Sequence, residues 1–246
     1  MSKFSLPTET IELPSKGLLY PKDSELAKGV IEMKYMTAKE EDILTNQSYI
    51  QKGTVIDKLM KSLIVSKIDY NQLLIGDKNA IMIAARILGY GKEYKFIYDG
   101  ENQEVDLSLL ENKKLDEDLY KSKINEFPFK LPHSGNEITY KLLTHKDEKD
   151  IDRELESLKK INKDSSPELT IRLKYVIQSI NGEREKKDIR DYVDNYLLAR
   201  DSKALRDHIK QTQPDVDLTF FPSNRESGVN IPIGISFFWP DAWYCP

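Results

Sequence analysis

Three histidines, one cysteine and a few carboxylate runs are the side chains in this 246-residue sequence that could carry chemistry. His133, His145 and His208 each stand without a second histidine or a cysteine at ligand spacing. They do not spell a zinc site, which gathers nitrogen and sulfur donors in close pairs. Cys245 lies between Tyr244 and Pro246, where a thiolate nucleophile would have neither a neighbouring base nor a rigid seat. It reads as buried or incidental. Glu40-Glu41-Asp42 and Asp147-Glu148-Lys149-Asp150 have the composition of acid/base carboxylates. Helix starts also attract acids through the backbone dipole, and that accounts for both runs. Gly89-Tyr90-Gly91-Lys92 lacks the spacing of a phosphate loop and follows a helical pattern, so a helix cap is the expected role. Lys159-Lys160 and Lys186-Lys187 are balanced by neighbouring acids, as on solvated faces. No catalytic, cofactor-binding or metal-ligating residue is expected. The alternative of another class is a small hydrolase or nucleotide-handling enzyme, which His133 or His145 beside acids in a deep cleft would favour.

The end of the chain is unlike the rest. Gly228 to Pro246 holds both tryptophans, the cysteine and the Phe237-Phe238 pair. Pro232, Pro240 and Pro246 exclude a helix there, because proline lacks an amide donor and fixes its own φ. Large aromatic side chains dominate protein interfaces. Ile231, Ile233, Phe237, Phe238, Trp239, Trp243 and Tyr244 are therefore the candidate partner-binding residues. Composition alone leaves open whether these rings lie on their own domain or on another protein.

The elements behind these residues follow from composition and period. Charged residues make up 32% and apolar ones 39%, enough for a core under a densely charged surface. The net charge of −4 comes from 37 basic and 41 acidic residues, well mixed, without the basic stripe of a nucleic-acid protein. One cysteine excludes an internal disulfide and fits a reducing compartment. No apolar run has the length of a signal peptide or a membrane span, so a soluble intracellular protein is expected.

Residues 1–35, with Pro7, Pro14 and Pro21, predict an extended arm with an edge strand, lying on its own domain or reaching a neighbouring subunit. Val30–Met36 has strand character. Thr37 and Glu40 are spaced as a capping box for a short helix. Val55, Ile56, Leu59, Met60, Leu63 and Ile64 share one helical face, and Asp77 is placed to cap a helix ended by Gly89 or Gly91. From Glu93 the period drops to two. Tyr94, Phe96 and Tyr98 pair through an Asp99-Gly100 turn with Val105 and Leu107. Glu111–Asn125 is a charged connector and the predicted lobe boundary. A second hairpin runs from Phe127 to Leu142. Helices follow with Ile151, Leu155 and Leu158; with Leu169, Leu173, Val176, Ile177 and Ile180, behind a Ser165/Glu168 capping box; with Ile189 to Leu197; and with Leu205 and Ile209, ended by Pro214. The expected fold class is α+β and mainly helical. Its divisions are an arm (1–35), a helical lobe with a hairpin (36–125), a hairpin with a C-terminal helical bundle (126–221) and an aromatic tail (222–246).

Several blocks together resemble a known family. Leu13-Pro14-Ser15-Lys16-Gly17-Leu18-Leu19-Tyr20-Pro21 is followed by Met36 to Leu44, by Gly76-Asp77 through Gly91, and by the Tyr94–Tyr98 strand. Asp188-Ile189-Arg190, Asp201-Ser202, Leu205-Arg206 and Phe237-Phe238-Trp239-Pro240 complete the set. This order is similar to the baseplate hub assembly proteins of T-even-type contractile-tail bacteriophages. The resemblance implies a non-enzymatic tail protein, either a hub subunit in the virion tail baseplate or an assembly chaperone that acts in the host cytoplasm and leaves. The implied partners are other phage tail and baseplate hub proteins, with oligomerisation inside the assembly left open and no nucleic acid, membrane or cofactor. Some members carry cysteine pairs after the Gly-Tyr-Gly turn, in a zinc-ribbon-like hairpin. The segment Phe96 to Asn102 has no cysteine, so no metal is expected.

Overall fold

A computed structural model describes residues 6–161, 167–222 and 227–239. The fold is α+β, with eight α-helices among the described residues and several small antiparallel sheets. Strand β1 (Thr8–Glu12) pairs with β2 (Val30–Lys34). The turns between them are part of the core: Leu13, Leu19, Tyr20 and Leu26 are buried. The predicted arm is thus an integral wall of its own domain. The reason is a polar anchor that periodicity does not display. The Ser15 amide and hydroxyl donate to the Asp77 carboxylate at 2.9 and 2.6 Å, and the Tyr20 hydroxyl donates to it at 2.5 Å.

Helix α1 (Ala38–Leu44) begins at Thr37, whose amide and hydroxyl both donate to Glu40 Oε2. Glu40 Oε1 accepts from Lys34 and Ser62, so this fully buried carboxylate ties β2 and α1 to the helix that carries Ser62. Helices α2 (Gln47–Gln51) and α3 (Val55–Leu63) follow, the latter burying Val55, Leu59, Met60 and Leu63 as its period predicts. Helix α4 (Ile75–Tyr90) is capped at its end by Gly91, whose amide donates to the Ile87 carbonyl. Its start differs from the expectation. Asp77 lies inside the first turn and faces the interior, so it anchors Ser15 and Tyr20 rather than capping α4. Gly76 is required by contact: a Cβ there would sit 1.9 Å from the Pro214 carbonyl oxygen.

Strands β3 (Glu93–Tyr98) and β4 (Glu101–Asp106) form the expected hairpin. Asp99 and Gly100 both adopt positive φ, as a two-residue turn demands. The connector does not divide lobes. The Lys113 amide donates to the Asp215 carbonyl and the Asp217 amide to the Glu111 carbonyl, while Tyr120 is buried and its hydroxyl donates to the Thr212 carbonyl. One continuous cluster of buried apolar residues runs from Leu13 to Phe238.

Strands β5 (Phe127–Lys130) and β6 (Glu137–Tyr140) form the second hairpin, followed by α5 (His145–Ile161) and α6 (Glu168–Val176). Ser165, the predicted cap of α6, lies outside the described residues. Helix α6 stops earlier than its apolar stripe suggests, because Ile177–Ile180 is strand β7, hydrogen-bonded along β6. The β6 edge needs partners for its amides and carbonyls, and a β-branched segment beside it supplies them. Helices α7 (Lys186–Asn195) and α8 (Ala199–Thr212) complete the C-terminal half. The predicted C-terminal helices are present, with this strand inserted among them. A short ladder of β8 (Thr219–Phe220) with β9 (Val229–Asn230) leads into the tail.

Candidate functional site

The aromatic tail is built from residues that cannot bury themselves locally, and the structure shows where they go. The Ile231 amide donates to the Leu218 carbonyl at 2.9 Å, continuing the β8–β9 ladder. The Tyr94 hydroxyl, from β3, donates to the Pro232 carbonyl at 3.3 Å. A 3₁₀ turn over Ile235–Phe238 then drives two rings inward. Phe237 meets Tyr94 edge-on at 4.8 Å between centroids and Phe238 at 5.3 Å. Phe96 meets Phe220 in the same manner at 5.7 Å.

Ile231, Phe237 and Phe238 are therefore buried in this chain's own core. They form a clasp over the β3–β4 hairpin, which corrects their assignment as partner contacts. The physical reason is that β3 presents a ready aromatic face. Sequence periodicity shows that this face exists without showing what covers it. Ile233 and Trp239 are partly buried against the same cluster. The indole Nε1 of Trp239 is buried without a hydrogen-bond partner among the described residues. Trp243 and Tyr244 lie outside the described residues, as does Cys245.

The histidines fall in three different settings. His133 occupies a turn whose amides, at His133 and Ser134, donate to the buried Asp201 carboxylate at 2.8 and 3.0 Å. Burial alone would raise the Asp201 carboxyl, but these bonds outweigh it and lower its pKa. His208 stacks on Phe129 at 4.7 Å and meets the edge of Tyr140. Burial pulls its pKa down.

His145 is the arrangement nearest to catalytic chemistry. Its Nε2 lies 3.0 Å from Asp57 Oδ2, and its Nδ1 lies 3.3 Å from Lys78 Nζ. An ammonium has no acceptor, so Lys78 donates to Nδ1 and Nε2–H donates to Asp57. Lys78 also reaches Glu148 at 3.4 Å, and the Tyr70 ring packs edge-on against the imidazole. Desolvation would raise the Asp57 carboxyl, but the His145 hydrogen bond and nearby positive charge lower it overall. His145 is only 2% exposed and both ring nitrogens are engaged, so the imidazole is closed to a substrate. It acts as a stitch between α3, α4 and α5.

Among the described residues, no group of three or more His, Cys, Asp or Glu side chains is placed to hold a metal ion. Among them too, no helix is long and apolar enough to cross a membrane. Comparison of the chain with protein-family models, with curated proteins and with solved structures gave no match.

Proposed function

We propose that this chain is a non-enzymatic subunit or assembly factor of a contractile-tail baseplate hub, working through protein–protein contacts with other tail proteins. One observation carries the reading: blocks on which the family resemblance rests, far apart in sequence, converge on one scaffold. Ser15 and Tyr20 of the first block bind Asp77 of the third, and Tyr94 of the strand block holds Phe237 of the last. The resemblance thus falls on residues that join the fold together, which supports a shared architecture. The closed setting of His145 lends no support to the hydrolase alternative.

The test is co-purification of the tagged full-length chain with tail components from infected cells. Recovery with hub proteins is expected. Recovery free of every tail protein, with tails assembling normally in its absence, would defeat the proposal. Mass spectrometry of purified virions separates the two branches, since a permanent subunit is present there and a transient chaperone is not. With Phe237 and Phe238 assigned to the clasp, Trp243 and Tyr244 carry forward as the tail's partner contacts. Replacing both with alanine is expected to weaken co-purification with tail proteins.

A further inference from the structure

A cleft of about 470 Å³ opens where the start of α5, the α6–β7 junction and the start of α7 meet. Its wall reverses the charge of the chain. Lys141, Lys146, Lys174, Arg184, Lys186 and Arg190 line it against only Asp147 and Asp150, in a protein whose acids outnumber its bases. Four of these cations are held in place by carboxylates: Lys141 by Asp147 and Lys174 by Asp194, each at 2.7 Å; Arg184 by Glu126 and Arg190 by Glu154. The Arg190 pair is bidentate, at 2.7 and 2.9 Å, and uses two of the five guanidinium N–H donors. Lys146 and Lys186 are exposed and have no acidic partner among the described residues. The wall is therefore preorganised and keeps positive charge in excess.

The lining is not uniformly polar. Ile177 and Ile189, both buried, reach it, and Tyr175 stands over it with its hydroxyl on Glu154. An occupant that gains from this surface carries carboxylates beside apolar groups. Ile177 and Ile189 are closed to solvent, so the apolar contact on offer is the half-buried Tyr175 ring, from which a polyphosphate would gain nothing.

We infer that this cleft docks an acidic, partly apolar peptide segment of a partner protein; the inference rests on the protein-binding role proposed above. Charge complementarity of this kind steers association and sets specificity, and it weakens as salt screens it.

The test is fluorescence anisotropy of the full-length chain with a labelled peptide in which Glu and Asp alternate with Leu. Saturable binding that weakens with added salt is expected. Lys146→Glu with Lys186→Glu should weaken it about tenfold or more, a loss typical of reversing unpaired charges at a binding surface. Both positions lie in the first turn of a helix, where an acid suits the dipole, so the variant keeps its fold. The charge-matched pair Lys22→Glu with Lys52→Glu, exposed and outside the cleft lining, should bind as the unmodified chain does. Absence of saturable binding overturns the inference, as does an equal loss in the control pair. Displacement by pyrophosphate at concentrations where unlabelled peptide competes overturns the peptide assignment. If the Lys146/Lys186 variant still co-purifies fully with tail proteins, the cleft assignment falls while the hub role stands.

Discussion

Phe237→Ala separates a clasp from a partner contact. The ring is fully buried and makes two edge-to-face contacts, with Tyr94 and Phe238. Truncating a buried phenylalanine to alanine costs about 3–5 kcal/mol, the lost transfer energy plus a cavity. Total stability is about 5–15 kcal/mol for a typical domain, so the substitution should remove a large share of it. The assay is equilibrium urea unfolding of the full chain, with the midpoint falling and the slope unchanged. A second measurement isolates the ring pair. In a double-mutant cycle of Tyr94→Leu and Phe237→Leu, a coupling of about 0.5–1.5 kcal/mol is expected from the aromatic geometry. A ring lying on the surface for a partner would behave otherwise, with a loss within about 0.5 kcal/mol on truncation. That result, together with zero coupling to Tyr94, would refute the clasp and restore Phe237 as an interface residue.

Three further outcomes follow from the buried polar groups and the Gly76 contact. Burial would raise the Glu40 carboxyl, but hydrogen bonds from Lys34, Thr37 and Ser62 outweigh it and hold the pKa at about 2, against 4.5 when free. A depressed folded pKa stabilises above the free value and is lost as pH falls toward the folded one. Glu40→Gln should therefore remove on the order of 3 kcal/mol at neutral pH and flatten the acid limb of the stability profile between those two values. Asp77 moves the other way: burial raises its pKa, only partly offset by the donors from Ser15 and Tyr20. Its protonated form is favoured by folding, so its contribution is full below the ordinary carboxylate pKa and shrinks as pH rises toward the raised one. Unfolding curves of Asp77→Asn should thus show the wild-type advantage narrowing from acid to neutral pH, and a widening gap would contradict the assignment. Gly76→Ala places a methyl 1.9 Å from the Pro214 carbonyl oxygen, a backbone atom that cannot swing aside. A loss of about 3 kcal/mol or more, read as a lower melting temperature, is expected from this overpacking, and an unchanged melt would mean that the α4–Pro214 contact is absent.

Local signals read well from the sequence because their causes are local. The Thr37–Glu40 start of α1, the single face of α3, the Gly91 cap and the Asp99-Gly100 turn each depend on residues within a few positions of one another. What misled was pattern without partner. Leu169, Leu173, Val176, Ile177 and Ile180 fit a helical stripe, but the open edge of β6 claimed Ile177–Ile180 as strand. Asp77 has the composition of a cap, yet Ser15 and Tyr20 turn it inward across about sixty residues of chain.

By itself the sequence determined the fold class, the positions of most elements and the apolar weight of the tail, because composition and period are properties of neighbouring residues. Only the tertiary structure decided that 111–125 spans one core, that Phe237 and Phe238 clasp their own β3, and that six cations from three helices and two loops share one cleft. Each of these depends on contacts between segments tens of residues apart, and no local pattern encodes which distant surface a side chain will meet.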